Sequence, residues 1–321
     1  MLRTLLVLLI SLFTALSVIG QSKMADTLRS SLAVNLEIRP RTEYTFNYIL
    51  APNTSASPFI NATQRNRLSA KYERKYWVIN TEVQEIHLLD KYQKNSAIGS
   101  VNFYQLYFET TFKRLNIKAG RQSLLLDNGR IFSDAPWSQQ SRSHEGIRIM
   151  LRGKKTSHDL IIFGTRDYGN QFDKTYSPVG THNYKYLLVY HLNYNSGKRF
   201  SFNSINAIDA FSNPALPRNF NRLTMGGRLE VKERKWYLTI NSYIQSGKNP
   251  KGQHLLAWYF QPEARFSGRK ATVRVGAEFL SGSNPRLKPG HSGDFDVLYG
   301  VAWKFMGNMN VFTRFPADVA G

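Results

Sequence analysis

The sequence predicts an all-β protein, an up-and-down antiparallel transmembrane β-barrel. Three observations support this: long segments alternate between apolar and polar residues, short and long connections alternate between those segments, and an export signal precedes them. The mean hydropathy of −0.38 agrees with this fold class, because half of each barrel strand faces water and masks the membrane signal.

The N-terminus predicts export. Arg3 supplies a positive charge, residues 5–19 form a short apolar run, and small residues follow around Gly20. This is typical of a secretory signal peptide, and the run is short for a membrane-spanning helix. We therefore predict a signal peptide over 1–20 and one barrel domain over 21–321. The absence of cysteine fits an envelope protein without disulfides, but it is equally common in cytosolic proteins.

The first predicted strand, 34–48, sets the pattern. Val34, Leu36 and Ile38 fall on one face, whereas Glu37 and Arg39 fall on the other. Alternation with period two is the mark of a strand with one apolar and one polar face. The run is long enough to cross a membrane at a tilt, which takes about 9–11 residues.

Strand-like runs recur along the chain, and we predict fourteen. They lie at 34–48, 63–72, 77–86, 101–110, 115–122, 146–152, 159–165, 184–194, 200–210, 222–231, 236–245, 255–266, 271–280 and 295–303. Tight basic connections alternate with longer ones rich in Gly, Pro, Asn and Ser. An up-and-down barrel has this rhythm, with short periplasmic turns and long external loops.

The net charge of +21 would ordinarily suggest nucleic-acid binding, but an exported β-rich chain argues against it. Part of the positive charge lies in the short turns, where it keeps that end of the barrel hydrated. The other basic residues of interest are arginines at or near strand positions whose alternation directs the side chain into the lumen. These are Arg39, Arg41, Arg65, Arg67, Arg148, Arg222, Arg228, Arg265 and Arg274.

A guanidinium group is permanently charged and binds carboxylates in a forked geometry. Several in one lumen predict a pathway of weak, repeated sites for anionic solutes. Interspersed acids such as Glu43 would neutralise part of that field. The alternative is that these residues form salt bridges that only stabilise the barrel.

The longest connection, 123–145, carries polar residues that could narrow the mouth of a pore. They are Asp127, Arg130, Gln139, Gln140, Arg142 and His144. Long loops in compact domains are often functional. The alternative is a surface loop that contacts no solute.

Several short motifs resemble the alginate-export (AlgE-like) outer-membrane porins, in particular Bacteroidetes forms. The motifs are Leu36-Glu37-Ile38-Arg39-Pro40-Arg41, Gln64-Arg65-Asn66-Arg67-Leu68, Gly120-Arg121-Gln122 with Leu125, Asp127 and Arg130, Trp137-Ser138-Gln139-Gln140-Ser141-Arg142-Ser143-His144, Leu298-Tyr299-Gly300 and Lys304-Phe305-Met306-Gly307. The resemblance implies a monomeric barrel of eighteen strands whose arginine-lined lumen guides an anionic polyuronate. Because we find fourteen strands, and 312–321 reads as no strand, the sequence predicts a barrel that is incomplete at its C-terminal end.

Arg121 falls on the lipid-facing parity of its strand. A bulge at Gly120 would turn it inward, and the resemblance favours that inward position, which we adopt as the prediction.

The predicted function is an outer-membrane porin that passes anionic saccharides, alginate-like polyuronates or small anions. Its predicted partners are outer-membrane lipid, the solute and the barrel-assembly machinery, with no cofactor, metal or nucleic acid. A non-conducting barrel for adhesion or envelope integrity is the alternative. A barrel hydrolase using Ser143 and His144 is a weaker one, because neighbours along a strand point to opposite faces.

Overall fold

The computed structural model describes residues 30–45, 59–88, 100–165, 184–197, 199–213, 216–282, 287–301 and 303–306. The predicted signal peptide and residues 312–321 lie outside these ranges. The elements are β1 (Ser31–Thr45), β2 (Phe59–Arg74), β3 (Trp77–Leu88), β4 (Ser100–Phe112), β5 (Leu115–Gln122), β6 (His144–Arg152), β7 (Thr156–Gly164), β8 (Tyr186–Asn195), β9 (Phe200–Asn213), β10 (Leu216–Glu233), β11 (Trp236–Lys248), β12 (His254–Ser267), β13 (Thr272–Gly276), β14 (Phe279–Leu280), β15 (His291–Ser292) and α1 (Trp303–Met306).

The fold class is confirmed as an all-β, up-and-down antiparallel sheet. Strands β1 to β13 pair in sequence order, each antiparallel to the next. β14 continues the register of β13 against β12, so the two together correspond to the single strand predicted over 271–280. Among the described residues, β1 pairs only with β2, and β13 pairs only with β12.

The prediction of a fourteenth strand over 295–303 is wrong. Residues 295–301 form no strand, and they lie against the inner face of the sheet, where Phe295, Tyr299 and Val301 are buried. Alternation alone predicted a strand there. The segment buries its apolar side chains by packing inside the sheet instead of by extending it.

The outer face of the sheet is apolar and exposed. In β12, Leu256, Trp258 and Phe260 are exposed, whereas Leu255, Ala257 and Tyr259 on the other face are buried. From Leu256 to Phe266 the strand covers about 33 Å at 3.3 Å per residue. At the tilt of about 40° that barrels adopt, this matches an apolar band about 25 Å tall.

The parity predicted for β1 and β2 is also as observed. Leu36 and Ile38 are exposed on the outer face, and Arg39 and Arg65 point inward.

A β-bulge in β4 changes which side chains face inward. The register moves from Glu82↔Gln105 to Val83↔Phe103, so Tyr104 is the extra residue. Tyr104 is buried beneath the guanidinium of Arg67, which lies 3.8 Å from the ring centroid. Bulges strengthen the local twist and re-aim side chains in this way.

Candidate functional site

The long connection between β5 and β6 lies inside the curled sheet. We call residues 123–143 the inner loop. Its polar groups contact β1 and β2 on one side and β10 to β12 on the other. In a flat sheet β1 and β12 would lie about 50 Å apart, with about 4.8 Å between neighbouring strands. Arg130, which contacts β12, and Pro136, which contacts β1, are only six positions apart and so span at most about 22 Å. The sheet therefore curls around the inner loop, which crosses the lumen.

Two arginines hold the loop against β1 and β2. Arg39 donates from Nη1 to the carbonyl of Pro136 at 2.9 Å and from Nη2 to that of Trp137 at 2.5 Å. Arg65 is buried and donates from Nη1 to the carbonyl of Ser138 at 2.8 Å, while its Nη2 pairs with Glu37 at 2.5 Å. These guanidinium groups therefore bind backbone carbonyls of the inner loop and hold it against β1 and β2.

The opposite wall holds the loop through ion pairs. Arg228 of β10 donates from Nε to both carboxylate oxygens of Asp127, at 2.9 and 2.8 Å. Arg130 donates to the hydroxyl of Tyr259 at 2.8 Å and pairs with Glu278. Each of these contacts joins residues more than a hundred positions apart in the sequence.

Apolar packing fixes the same loop. Leu124, Leu126, Ile131 and Phe132 are almost completely buried. They belong to one cluster with the inner wall of β7 to β12 and with residues 287–306, which we call the late segment. The other members are Ile161, Phe163, Tyr184, Leu187, Val189, Ile205, Ala207, Tyr243, Leu255, Ala257, Tyr259, Phe295, Tyr299 and Phe305. Part of the lumen thus contains a packed core in place of water.

The late segment is tied to the inner loop through its backbone. Ser133 donates its N–H to the carbonyl of Tyr299 at 3.0 Å, and Tyr299 donates to that of Ile131 at 3.1 Å. Arg142 donates to the carbonyl of Gly300 at 2.5 Å and also to that of Tyr299. A Cβ at Gly300 would lie 1.6 Å from the carbonyl oxygen of Arg130, so only glycine allows this approach.

Burial shifts the pKa of three groups outside the strands. It lowers the pKa of Arg142, lowers that of Lys304 with a further contribution from nearby Arg130, and raises that of Tyr299 well above its ordinary value. The Tyr299 hydroxyl therefore stays neutral and donates to Asp209 at 3.1 Å. This hydrogen bond joins the late segment to β9.

A buried ion pair adjoins this core at Tyr299. Arg222 and Asp209 face each other across β9 and β10 and are almost completely buried, and Arg222 also donates to Asp296 at 2.5 Å. Arg222 was predicted to face the lumen, but its partners Asp209 and Asp296 were not predicted. Parity within β9 could have identified Asp209, whereas the placement of the late segment could not be read from the sequence.

A second polar group lies nearer the short turns. Asp159 is buried and contacts Arg148 at 2.5 Å, Arg152 at 3.0 Å and His191 at 3.4 Å. Arg265 faces Arg274 directly across β12 and β13, with Arg274 paired to Glu263 at 2.5 Å. Arg152, Arg265 and Arg274 remain exposed, unlike the arginines that hold the loop.

The remaining predicted pathway residues have mixed surroundings. Arg41 pairs with Glu43 on the inner face of β1. Arg67 donates to Gln84 at 2.9 Å. His144 is the first residue of β6 and so lies outside the loop to which the sequence assigned it. Its Nδ1 lies 2.7 Å from the buried Tyr184 hydroxyl, and its ring stacks on Phe163.

The inward position predicted for Arg121 is wrong. The β4–β5–β6 ladder has no bulge at Gly120, and Arg121 stays opposite Leu106 and Glu145. Leu106 is exposed on the outer face, and Arg121 pairs with Glu145 at 2.7 Å. Gly120 does take a positive φ of 120°, but the register is unchanged, so alternation keeps Arg121 outside.

Two kinds of feature are absent from the described residues. They include no helix that is long and apolar enough to cross a membrane. They also include no group of three or more His, Cys, Asp or Glu side chains arranged to hold a metal ion.

No protein-family model matches the sequence, and no curated protein matches it either. Solved structures do. The chain is similar to OccAB1 of Acinetobacter baumannii (TM-score 0.56, 9% identity, 87% of this chain and 72% of that one). It is similar to OccAB4 of the same organism (TM-score 0.53, 11% identity, 82% of this chain and 70% of that one). It is also similar to the outer membrane protein OprD from Pseudomonas aeruginosa (TM-score 0.51, 10% identity, 78% of this chain and 57% of that one).

The chain therefore spans between about half and three quarters of the length of these structures. At such low identity the similarity concerns the fold alone, and it does not show the alginate-export family suggested by the motifs. The antiparallel up-and-down sheet agrees with this comparison. The fold of this chain is that of an outer-membrane β-barrel porin.

Proposed function

We propose that this chain is a porin of a Gram-negative outer membrane that passes small anionic solutes through a lumen narrowed by the inner loop. The observation that carries the proposal is the loop itself, held across the lumen by Arg39 and Arg65 on one wall and by Arg228 on the other. A loop fixed in this way sets the size of a passage. The outward apolar face and the predicted export signal support the membrane location.

The structure changes which arginines we assign to the solute. Arg39, Arg65, Arg130, Arg142 and Arg228 hold the loop, so they position the constriction. Exposed inner-face arginines remain for the solute: Arg152, Arg265 and Arg274, with Arg41 partly exposed. Because Arg265 and Arg274 face each other with one nearby carboxylate, Glu263, their local charge is positive.

The solute class we propose is carboxylate-bearing saccharides or small anions, and the motif resemblance to alginate-export porins suggests polyuronates within it. Exposed guanidinium groups bind carboxylates weakly and repeatedly, which permits passage without trapping.

Planar-bilayer recording of the full chain tests this proposal. In a KCl gradient we expect single-channel conductance with a reversal potential of the anion-selective sign. Replacing Arg265 and Arg274 by Gln should move that potential towards zero. The charge-matched control replaces Lys251 and Lys288, exposed residues at the long-loop end, and should leave it unchanged. Cation selectivity in the unmodified protein would exclude the anionic assignment.

A non-conducting barrel for adhesion or envelope integrity is the second candidate, and a specific observation favours it. The rings of Phe132, Tyr243, Tyr259 and Tyr299 are buried inside the sheet and fill part of the lumen. A closed barrel would give no conductance until the inner loop is released. The same recordings therefore distinguish the two candidates.

A further inference from the structure

The short turns of the sheet share one property, which is that each is flanked or formed by basic residues. We call this set the basic rim. Its described members are Arg74, Lys75, Lys113, Arg114, Lys154, Lys155, Arg199, Lys232, Arg234, Lys235, Arg269 and Lys270. The acids in the same turns are Glu73 and Glu233, which contact Lys71 and Arg199. The rim is therefore strongly positive.

Topology places all these turns at one end of the sheet. Consecutive strands are antiparallel and pair in sequence order, so every second connection lies at the same end. The turns after β2, β4, β6, β8, β10 and β12 are the short ones. The positive charges of these turns are thus gathered at one end of the sheet.

Aromatic side chains lie directly beside this band. Three ring pairs join neighbouring strands at the short-turn end: Tyr72 with Trp77 at 5.4 Å, Tyr194 with Phe200 at 5.9 Å, and Trp236 with Phe266 at 4.9 Å between centroids. Phe112 and Tyr76 are strongly exposed in the same zone. Exposed aromatic rings at strand ends are typical of the boundary between hydrocarbon and headgroups.

The basic side chains extend beyond the aromatic zone. Arg74 lies about 6 Å from the rings of Tyr72 and Trp77, and Lys75 lies 5.0 Å from the ring of Tyr76. Lys113 lies 5.5 Å from the ring of Phe112. If the rings mark the edge of the hydrocarbon, these cations lie at the depth of the phosphate groups, which long basic side chains can reach.

We propose that the basic rim binds the headgroups of anionic phospholipids in the leaflet on the short-turn side. A basic residue close to an anionic membrane surface is attracted to it, and the contributions of several such residues add. The rim combines many such residues with an aromatic belt that fixes their depth. This inference rests on the membrane location in the proposed function and is independent of whether the barrel conducts.

Two other uses of the rim make different predictions. A rim that only concentrates anionic solutes would change conductance and leave lipid preference unchanged. A rim that binds a soluble acidic partner would also show no preference among lipids. Lipid selectivity is therefore the measurement that separates the proposal from both.

The test uses the full chain in bilayers of phosphatidylcholine with spin-labelled phosphatidylglycerol or phosphatidylcholine as probes. The measured quantity is the relative association constant of the anionic probe for the protein surface. We expect a clear preference for phosphatidylglycerol that weakens in high salt. In a variant with Lys154→Gln, Lys235→Gln and Lys270→Gln the preference should fall by roughly tenfold or to none.

The matched control carries Lys248→Gln, Lys251→Gln and Lys288→Gln, which remove the same charge at the long-loop end. It should retain the preference of the unmodified protein. Equal loss in both variants would show that net charge alone is responsible, and equal association of the two probes with the unmodified protein would show that the rim does not bind these lipids. Either result overturns the proposal. Single-channel recordings of the same variants report on the porin function separately.

Discussion

Arg228 and Asp127 lie 101 positions apart in the sequence, and the Nε of the arginine is within 3 Å of both carboxylate oxygens. The pair joins β10 to the inner loop. Asp127 takes a left-handed backbone conformation, with φ of 50°, which aspartate tolerates better than most residues. The ion pair therefore fixes both the position and the local shape of the loop that crosses the lumen.

Asp127→Asn should loosen the inner loop. Arg228 would keep its contact with Glu230 but lose the charged partner in the loop. We expect larger and noisier single-channel conductance, because the loop samples more positions. Glu109→Gln is the control, since Glu109 pairs with Lys118 on the inner wall and is part of no inner-loop contact described above. An unchanged current in Asp127→Asn would show that this pair does not set the width.

Arg65→Lys should release the loop from the β1–β2 wall. Lysine keeps the charge but cannot reproduce the forked contacts of Arg65 to Ser138, Ser141 and Glu37. We expect trypsin to cleave the folded variant within the inner loop, which contains Arg130 and Arg142.

The control for this experiment is Lys71→Gln, because Lys71 pairs with Glu73 at an exposed site far from the loop. The fragments should be identified by mass spectrometry. Equal resistance of Arg65→Lys and the unmodified protein would mean that the other contacts suffice to hold the loop.

Arg222→Met should destabilise the barrel strongly. The substitution leaves buried Asp209 without its charged partner and removes a contact of Asp296. Breaking a buried ion pair from one side costs about 3–5 kcal/mol in the free energy of unfolding. Arg199→Met removes the exposed pair with Glu233 and should cost less than about 1 kcal/mol. Urea unfolding in lipid vesicles measures both, and similar values for the two variants would contradict the assignment.

Gly146→Ala should also destabilise the sheet. Gly146 faces Gly120 across β5 and β6 and has a φ of 149°, and a Cβ there would lie 2.1 Å from the carbonyl oxygen of Ile162. We expect a loss of roughly 1–3 kcal/mol from backbone strain. At Gly164 the nearest atom would be 3.8 Å away, so Gly164→Ala is the tolerated control. Thermal unfolding followed by gel mobility compares the two.

Much of the fold can be predicted from local sequence. Alternation in stretches such as Leu36 to Arg41 determines which side chains face outward, because a strand has a period of two whatever surrounds it. By the same rule Arg121 lies on the outer face, whereas the motif resemblance had predicted that it points inward. The prediction over 295–303 failed because alternation cannot show whether an extended segment joins a sheet edge or packs against its inner face.

The sequence by itself determined the strands up to residue 280, their two faces and the basic short turns, since these depend on neighbours along the chain. Only the tertiary structure decided what the inward arginines do. Arg39, Arg65 and Arg228 meet loop carbonyls and carboxylates that are distant in sequence, and Arg265 and Arg274 stay exposed. The physical reason is that a guanidinium group must be paired where the lumen is filled, because burying an unpaired charge is costly, whereas it can remain hydrated where the lumen is open. The path of the inner loop decides which parts of the lumen are filled.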